Sequence, residues 1–319
     1  MEAAFFLVRG GNDGTGGGCM ECFSFPFEAM GSRCGIHVFS EDRSRATETA
    51  ERVILEVKRI EARFSRYSDE SETTRINRGA AEGLPVTVDV EVARLLNQAF
   101  RFHRISNGLF DITSGILQRV WDFSSAIVPQ ADQVRALLPL VGMRHLAWHD
   151  RTLQFMKPGM QIDFGGVAKE YAADRAAELC RKAGQSHTLV DLGGDLVVVG
   201  PLPDGSPWKI RIRHPRNNQD AFSIFEVSKG GVATSGDYER FMEVSDTRYC
   251  HILNPITGFP VQSISSVTVV ASSCSLAGGL STSAMLMEDC AAKWLTATNR
   301  RHAWILTNGE SGGTLLEKV

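Results

Sequence analysis

Ile162-Asp-Phe-Gly-Gly-Val-Ala-Lys-Glu-Tyr-Ala-Ala-Asp174 sets an acid, two glycines and a lysine where a strand is predicted to feed a helix. Glycine lets a backbone come close to a ligand, and a helix N-terminus offers unpaired N–H groups to a phosphate. Lys169 adds a positive charge one turn in. The same residues also read as an ordinary tight strand-to-helix connection. The helical period then runs from Val167 to Ala183 and closes at Gly184. An apolar strand follows from Thr188 to Val199, broken by Gly193-Gly194, which signals a bulge or a close backbone approach.

On either side of this block the chain mixes strands and helices. Ser24 to Met30 and Cys34 to Phe39 read as strands around a Gly31-Ser32 turn. A long amphipathic helix follows, with Ile54, Val57, Ile60, Ala62 and Phe64 toward one face. Val88 to Phe102 gives a second helix with Val92, Leu95, Leu96 and Phe100 inward. His145 to Asp150 and Thr152 to Phe155 form a predicted hairpin. Trp208 to Arg213 and Ser265 to Val270 alternate as half-buried strands, a helix starts at Leu280, and His302 to Leu306 is a late strand. Without strict alternation of strand and helix, the pattern predicts an α+β fold with largely antiparallel sheets and long helices.

The chain has 319 residues, 43% hydrophobic and 22% charged, the balance of a soluble globular protein with room for one large domain or two packed ones. A net charge of -3 gives no bulk attraction to nucleic acid or anionic membrane. No apolar run is long enough to span a bilayer, so no transmembrane segment is expected. Met1 to Arg9 is apolar without a basic leader, and Gly16 to Gly18 before Cys19 lack a lipoprotein pattern. The expectation is a cytoplasmic protein, with an exported form if the start codon is misassigned. Residues 1–22, glycine-rich over Gly10 to Gly18, are expected to be disordered, and 23–319 to form the folded domain.

Seven cysteines, at 19, 22, 34, 180, 250, 274 and 290, are an odd number and read as reduced thiols. Cys19 and Cys22 form a C-x-x-C with no second pair to complete a zinc site, and fall in the segment read as mobile. His145 and His149 are four apart, but on a strand that separates them by ~13 Å, so both read as surface residues. Trp121 and Phe123 read as core.

Further glycine and hydroxyl motifs follow. Asp191-Leu-Gly-Gly-Asp195 sits in the apolar strand, Ala233-Thr-Ser-Gly-Asp237 brings hydroxyls to a predicted turn, and Cys250-His-Ile-Leu-Asn-Pro-Ile-Thr-Gly258 places a histidine before a proline turn. None is a dinucleotide fingerprint or a Walker loop. As an ordered set these segments resemble the FAD:protein FMN transferase (ApbE) family. The likeness begins at Ala29-Met-Gly-Ser32 and takes in Phe64-Ser-Arg-Tyr67, Ser71 to Asn77, Gly108-Leu-Phe-Asp-Ile-Thr113 and Val120-Trp-Asp-Phe123. It continues through Asp163 to Asp174, Asp191 to Asp195, Thr234-Ser-Gly236 and the His251 turn to Leu280-Ser-Thr282.

The resemblance implies tandem T-fold-like halves with an FAD site between them. It implies transfer of FMN from FAD, through its phosphate, to a threonine or serine of an acceptor protein carrying a flavinylation motif, with release of AMP and dependence on magnesium. Met30, Tyr67, Leu109, Phe110, Asp111, Asp163, Lys169, His251 and Ile252 would line the FAD site. Lys169 and His251 would be catalytic, the lysine stabilising developing charge and the imidazole taking the proton of the acceptor hydroxyl. Magnesium would use the positions of Gly166, through its backbone carbonyl, Gly278 and Thr282.

The chain departs from the family at one of these positions. Where the family reads Ala-Asp-Ala-Leu-Ser-Thr, this chain has Ala277-Gly-Gly-Leu-Ser-Thr282, so the carboxylate at 278 is missing. Glu170 stands where the family has glycine and is one candidate to complete the metal shell. Three readings stay open: transferase activity kept with another acid on the metal; a flavin-binding protein with weak or lost transfer, or slow FAD pyrophosphatase activity; and an introduced substitution that traps FAD.

Overall fold

The computed structural model describes residues 20–216, 221–298, 301–306 and 313–316. The chain divides into two compact units, one of residues 1–61, 169–233 and 270–277, the other of 62–168, 234–269 and 278–319. Both mix helices with antiparallel ladders, as the α+β expectation requires. No helix among the described residues is long and apolar enough to cross a membrane.

The first unit begins with strands Glu21–Ala29 and Ser32–Ser40, paired over their whole length. The turn centres on Met30 and Gly31, both at positive φ (55° and 67°), one residue earlier than expected. A two-residue turn of that kind matches the twist of a hairpin. Cys22 pairs with Phe39, so it belongs to the ladder and not to a mobile segment; Cys19 and the rest of 1–19 lie outside the described residues. Ser32–Ser40 then pairs with Thr188–Leu192, that strand with Asp195–Val198, and Asp195–Val198 with the start of Gly230–Gly236. Gly193-Gly194 is therefore the turn of a second hairpin, with φ 65° and 93°. The close approach also holds, because a Cβ on Gly193 would stand 2.5 Å from Ser32 Cβ. Helix Arg43–Phe64 buries Val57, Ile60 and Phe64 as expected, with Val53 in place of the half-buried Ile54, and leaves Ala62 exposed. Helix Ala168–Lys182 buries Ala172, Ala173, Ala176 and Ala177, and ends before Gly184 at φ 76°.

The second unit contains helix Val90–Ile105, started by Asp89, whose carboxylate accepts from the Glu91 and Val92 N–H groups. Ala99 and Phe102 turn inward with Val92, Leu95 and Leu96, while Phe100 is only half-buried. Strands Leu146–His149 and Thr152–Phe155 form the predicted hairpin. His149 is exposed as expected; His145 is not a free surface residue, since its Nε2 is enclosed without a partner among the described residues. Trp121 sits in a core with Ile116, Leu117, Val134, Val141, Met242 and Leu253, and Phe123 stacks on it from the partly buried edge. Strands Ile264–Ala271, Arg301–Leu306 and Gly313–Leu316 lie side by side in that order.

Two segments depart from the sequence reading. Thr234-Ser-Gly236 ends a strand, Gly230–Gly236, and is not a turn. The helix expected from Leu280 begins six residues earlier, as Cys274–Met287. Gly278 and Gly279 are thus helical, and Gly279 has a packing reason. A Cβ there would lie 2.0 Å from Phe102 Cζ, and Phe102 is buried. Gly279→Ala is expected to lower unfolding free energy by about 1–3 kcal/mol from overpacking, net of the roughly 1 kcal/mol that alanine adds to a helix. Chemical denaturation of the purified variant reads this directly.

Candidate active site

In the first unit the Asp191–Asp195 hairpin meets the start of helix Ala168–Lys182. Lys169 Nζ lies 2.8 Å from Asp195 Oδ2, and that carboxylate is almost wholly buried. Asp191 is spent on the hairpin turn, accepting from Gly194 N–H at 2.8 Å; burial, with Asp195 nearby, pushes its carboxyl up to about 6. Met30 holds its left-handed turn, and its N–H donates to Glu61 at 2.5 Å. Such a conformation is uncommon for a residue with a side chain. Asp174 accepts from the Cys274 and Ser275 N–H groups at 2.8 and 3.0 Å and caps helix Cys274–Met287. Glu170 is buried in the first turn of its helix, and its Oε2 has no hydrogen-bond partner among the described residues. Burial, then Asp195, raises its carboxyl to about 8.

In the second unit the stretch before the glycines is extended loop and not strand. Asn77 stands in for a neighbouring strand: its side-chain amide accepts from Ile162 N–H and donates to Ile162 C=O, at 2.8 and 3.0 Å. Asp163 follows, its N–H bound to Ile112 C=O and its carboxylate to Gly165 N–H and Arg66 Nη1, the last at 2.9 Å. Gly166 lies against Phe110, whose Cζ would be 3.5 Å from a Cβ there. Phe110 is buried, its ring tilted 54° against Phe102, and Leu109 beside it is half-buried. Asp111 has both oxygens committed, one to Thr113 and the other to Met143 N–H at 2.8 Å, so its carboxylate ties loops together. Tyr67 is 78% exposed, with the Arg66 guanidinium over its ring.

The proline turn after Cys250 is closed by hydrogen bonds. Trp121 Nε1 donates to Gly258 C=O at 2.8 Å, Asn254 and Phe259 close the turn, and Leu253 bridges Pro260. At its head His251 places Nδ1 3.2 Å from Arg240 C=O. A carbonyl only accepts, so Nδ1 carries the hydrogen, and the neutral ring then has its lone pair on Nε2. That is the tautomer a general base needs. Ile252 is buried behind it.

Around Gly278 the donors are hydroxyls. Ser281 Oγ donates to Gly278 C=O at 3.0 Å, and Ser235 Oγ lies 2.8 Å from Ser281 Oγ and 2.9 Å from Thr282 Oγ1. The three magnesium positions thus bring one carbonyl and one hydroxyl but no anionic oxygen. Among the described residues no three His, Cys, Asp or Glu side chains come together to hold a metal. Magnesium relies on carboxylates, water and substrate phosphates, so the three positions alone do not fit it.

Arg66, Asn77, Asp174 and Ser235 all lie inside the motifs quoted from the sequence, but none was singled out as a site residue. Met30 and Lys169 lie in the first unit and the other predicted site residues in the second. The structure places Phe110 with Gly166, Asp163 with Arg66, and Thr282 near Gly278 through Ser235 and Ser281.

The raised Asp191 carboxyl has a consequence for stability. An aspartate in an unfolded chain ionises near ~3.9, whereas the folded chain keeps this proton to about 6. Folding therefore takes up a proton in that window, and stability falls as pH rises through it. Asp191→Asn is expected to flatten this fall between ~4 and ~6 and to raise the melting temperature at pH 7, measured by thermal melts across pH.

The ApbE family model matches residues 30–306. A FAD:protein FMN transferase of Vibrio cholerae is 31% identical over 236 residues, 72% of this chain and 70% of that one. One from Haemophilus influenzae is 26% identical over 86% of this chain and 84% of its own. The crystal structure of the ApbE protein of Thermotoga maritima superposes with a TM-score of 0.84 at 30% identity, covering 93% of this chain and 97% of that one. The flavin transferase ApbE of Vibrio cholerae gives 0.81 at 26% identity, over 92% and 96%. With the mixed α+β fold, the ordered motifs and these relatives in agreement, the chain belongs to the ApbE family.

Proposed function

We propose that this chain transfers FMN from FAD to a serine or threonine hydroxyl of an acceptor protein and releases AMP. The observation that carries this reading is His251 at the head of a hydrogen-bonded turn, its Nδ1 3.2 Å from the Arg240 carbonyl, a contact that favours the tautomer a general base needs. The acceptor hydroxyl attacks the FMN phosphorus while its proton passes to His251 Nε2. The new P–O bond joins FMN to the acceptor, and the pyrophosphate bond to AMP breaks. Lys169, anchored by Asp195, supplies positive charge beside the phosphates. Tyr67, exposed and backed by Arg66, is suited to cover a flavin ring. Arg66 orients Asp163, and Phe110 with Leu109 gives an apolar wall.

Magnesium, if bound, would supply positive charge at the pyrophosphate; Gly166 C=O and the Thr282 hydroxyl could hold it only together with anionic ligands from outside the three positions. By its family resemblance the chain would form tandem T-fold-like halves that hold FAD, within a single folded domain of residues 23–319. The missing carboxylate at Gly278 favours a second reading, a flavin-binding protein with slow or no transfer.

Purified protein with FAD, magnesium and a family acceptor is expected to yield covalent FMN on one serine or threonine and an equal amount of AMP, by mass spectrometry and chromatography. His251→Ala is expected to slow transfer by ~10²–10⁴-fold while FAD binding, read by flavin fluorescence, persists. FAD binding by the natural chain with neither labelling nor AMP would reject transfer in favour of the second reading.

A further inference from the structure

We propose that Glu170 is the carboxylate through which this chain binds its divalent cation, the ion being shared with the phosphates of bound FAD. The inference rests on the FAD reading above. Four carboxylates lie around the start of helix Ala168–Lys182, and three have a structural partner: Asp191 binds Gly194 N–H, Asp195 binds Lys169, and Asp174 binds Cys274 and Ser275 N–H. Glu170 differs in one oxygen. It is 7% exposed, and its Oε2 is enclosed without a hydrogen-bond partner among the described residues. Buried polar atoms are nearly always paired, so an unpaired carboxyl oxygen marks a place where a ligand is expected.

The missing partner has the chemistry of a hard cation. The positions of Gly166, Gly278 and Thr282 supply neutral oxygens at most, and magnesium takes one or two carboxylates plus substrate phosphates in preference to an all-protein cage. The lack of any three-residue cage among the described residues agrees with this. Glu170, its proton displaced by the ion, would provide one negative oxygen ligand and the FAD phosphates the others. Cation binding should therefore require the nucleotide.

Manganese titration followed by electron paramagnetic resonance, on full-length protein with and without FAD, tests this without relying on turnover. The natural chain should bind manganese with FAD present and at least ~10-fold more weakly without it. Glu170→Gln should weaken manganese binding in the presence of FAD by at least ~10-fold, the scale of losing a metal-site group, with FAD itself still bound. Unchanged manganese affinity in that variant would overturn the proposal. Should Glu170→Gln fail to fold, Glu170→Gly decides: manganese binding weakened by at least ~10-fold with FAD still bound sustains the proposal, and unchanged affinity rejects it. Loss of acceptor labelling by the natural chain would sink the transferase reading alone, because these titrations need no acceptor.

Discussion

The carboxylate of Asp174 binding the first two N–H groups of helix Cys274–Met287 is the contact on which most of the site architecture rests. A buried helix N-terminus leaves donors that must find acceptors. Here the acceptor comes from 100 residues upstream, out of the same helix whose first turn holds Lys169 and Glu170. That bond sets where the later helix begins. With the start fixed at Cys274, Gly279 arrives against Phe102, and the hydroxyls of Ser281 and Thr282 arrive beside Ser235. A start at Leu280 would have left Gly278 and Gly279 outside the helix.

Much of this was legible in the sequence where local chemistry speaks. Gly184 ended its helix, the 146–155 hairpin followed from alternation, and Trp121 read as core. The ordered motifs led to the right family. What escaped were bonds between a side chain and a distant backbone. Asn77 replaces a neighbouring strand for Ile162 across 85 residues, and Asp174 caps a helix across 100. Neither leaves a periodic trace. The Gly193-Gly194 break was seen but read too narrowly, since it is both a hairpin turn and a contact with Ser32. The phase errors at Ile54 and Phe100 arose because neighbouring apolar residues, Val53 and Ala99, take the buried positions.

Asp111 lies within a shared segment, and in this chain its two oxygens bind Thr113 and the Met143 N–H, with His103 Nδ1 3.7 Å from the second. Asp163 differs, because its pairing with Arg66 on a half-open surface keeps a charged group where a polar ligand can reach it.

The hydroxyl chain beside Gly278 has a direction. A serine has one hydrogen to give. Ser281 gives its hydrogen to the Gly278 carbonyl, so Ser235 must be the donor in its bond to Ser281. With that hydrogen used, Thr282 must be the donor in its bond to Ser235. The relay is polarised from Thr282 inward to the helix backbone. Thr282 thus has its proton turned away and only lone pairs left to present. A hydroxyl so oriented repels an incoming anion and welcomes an electron-poor one, which gives this stretch of helix a preference by sign even without a carboxylate of its own.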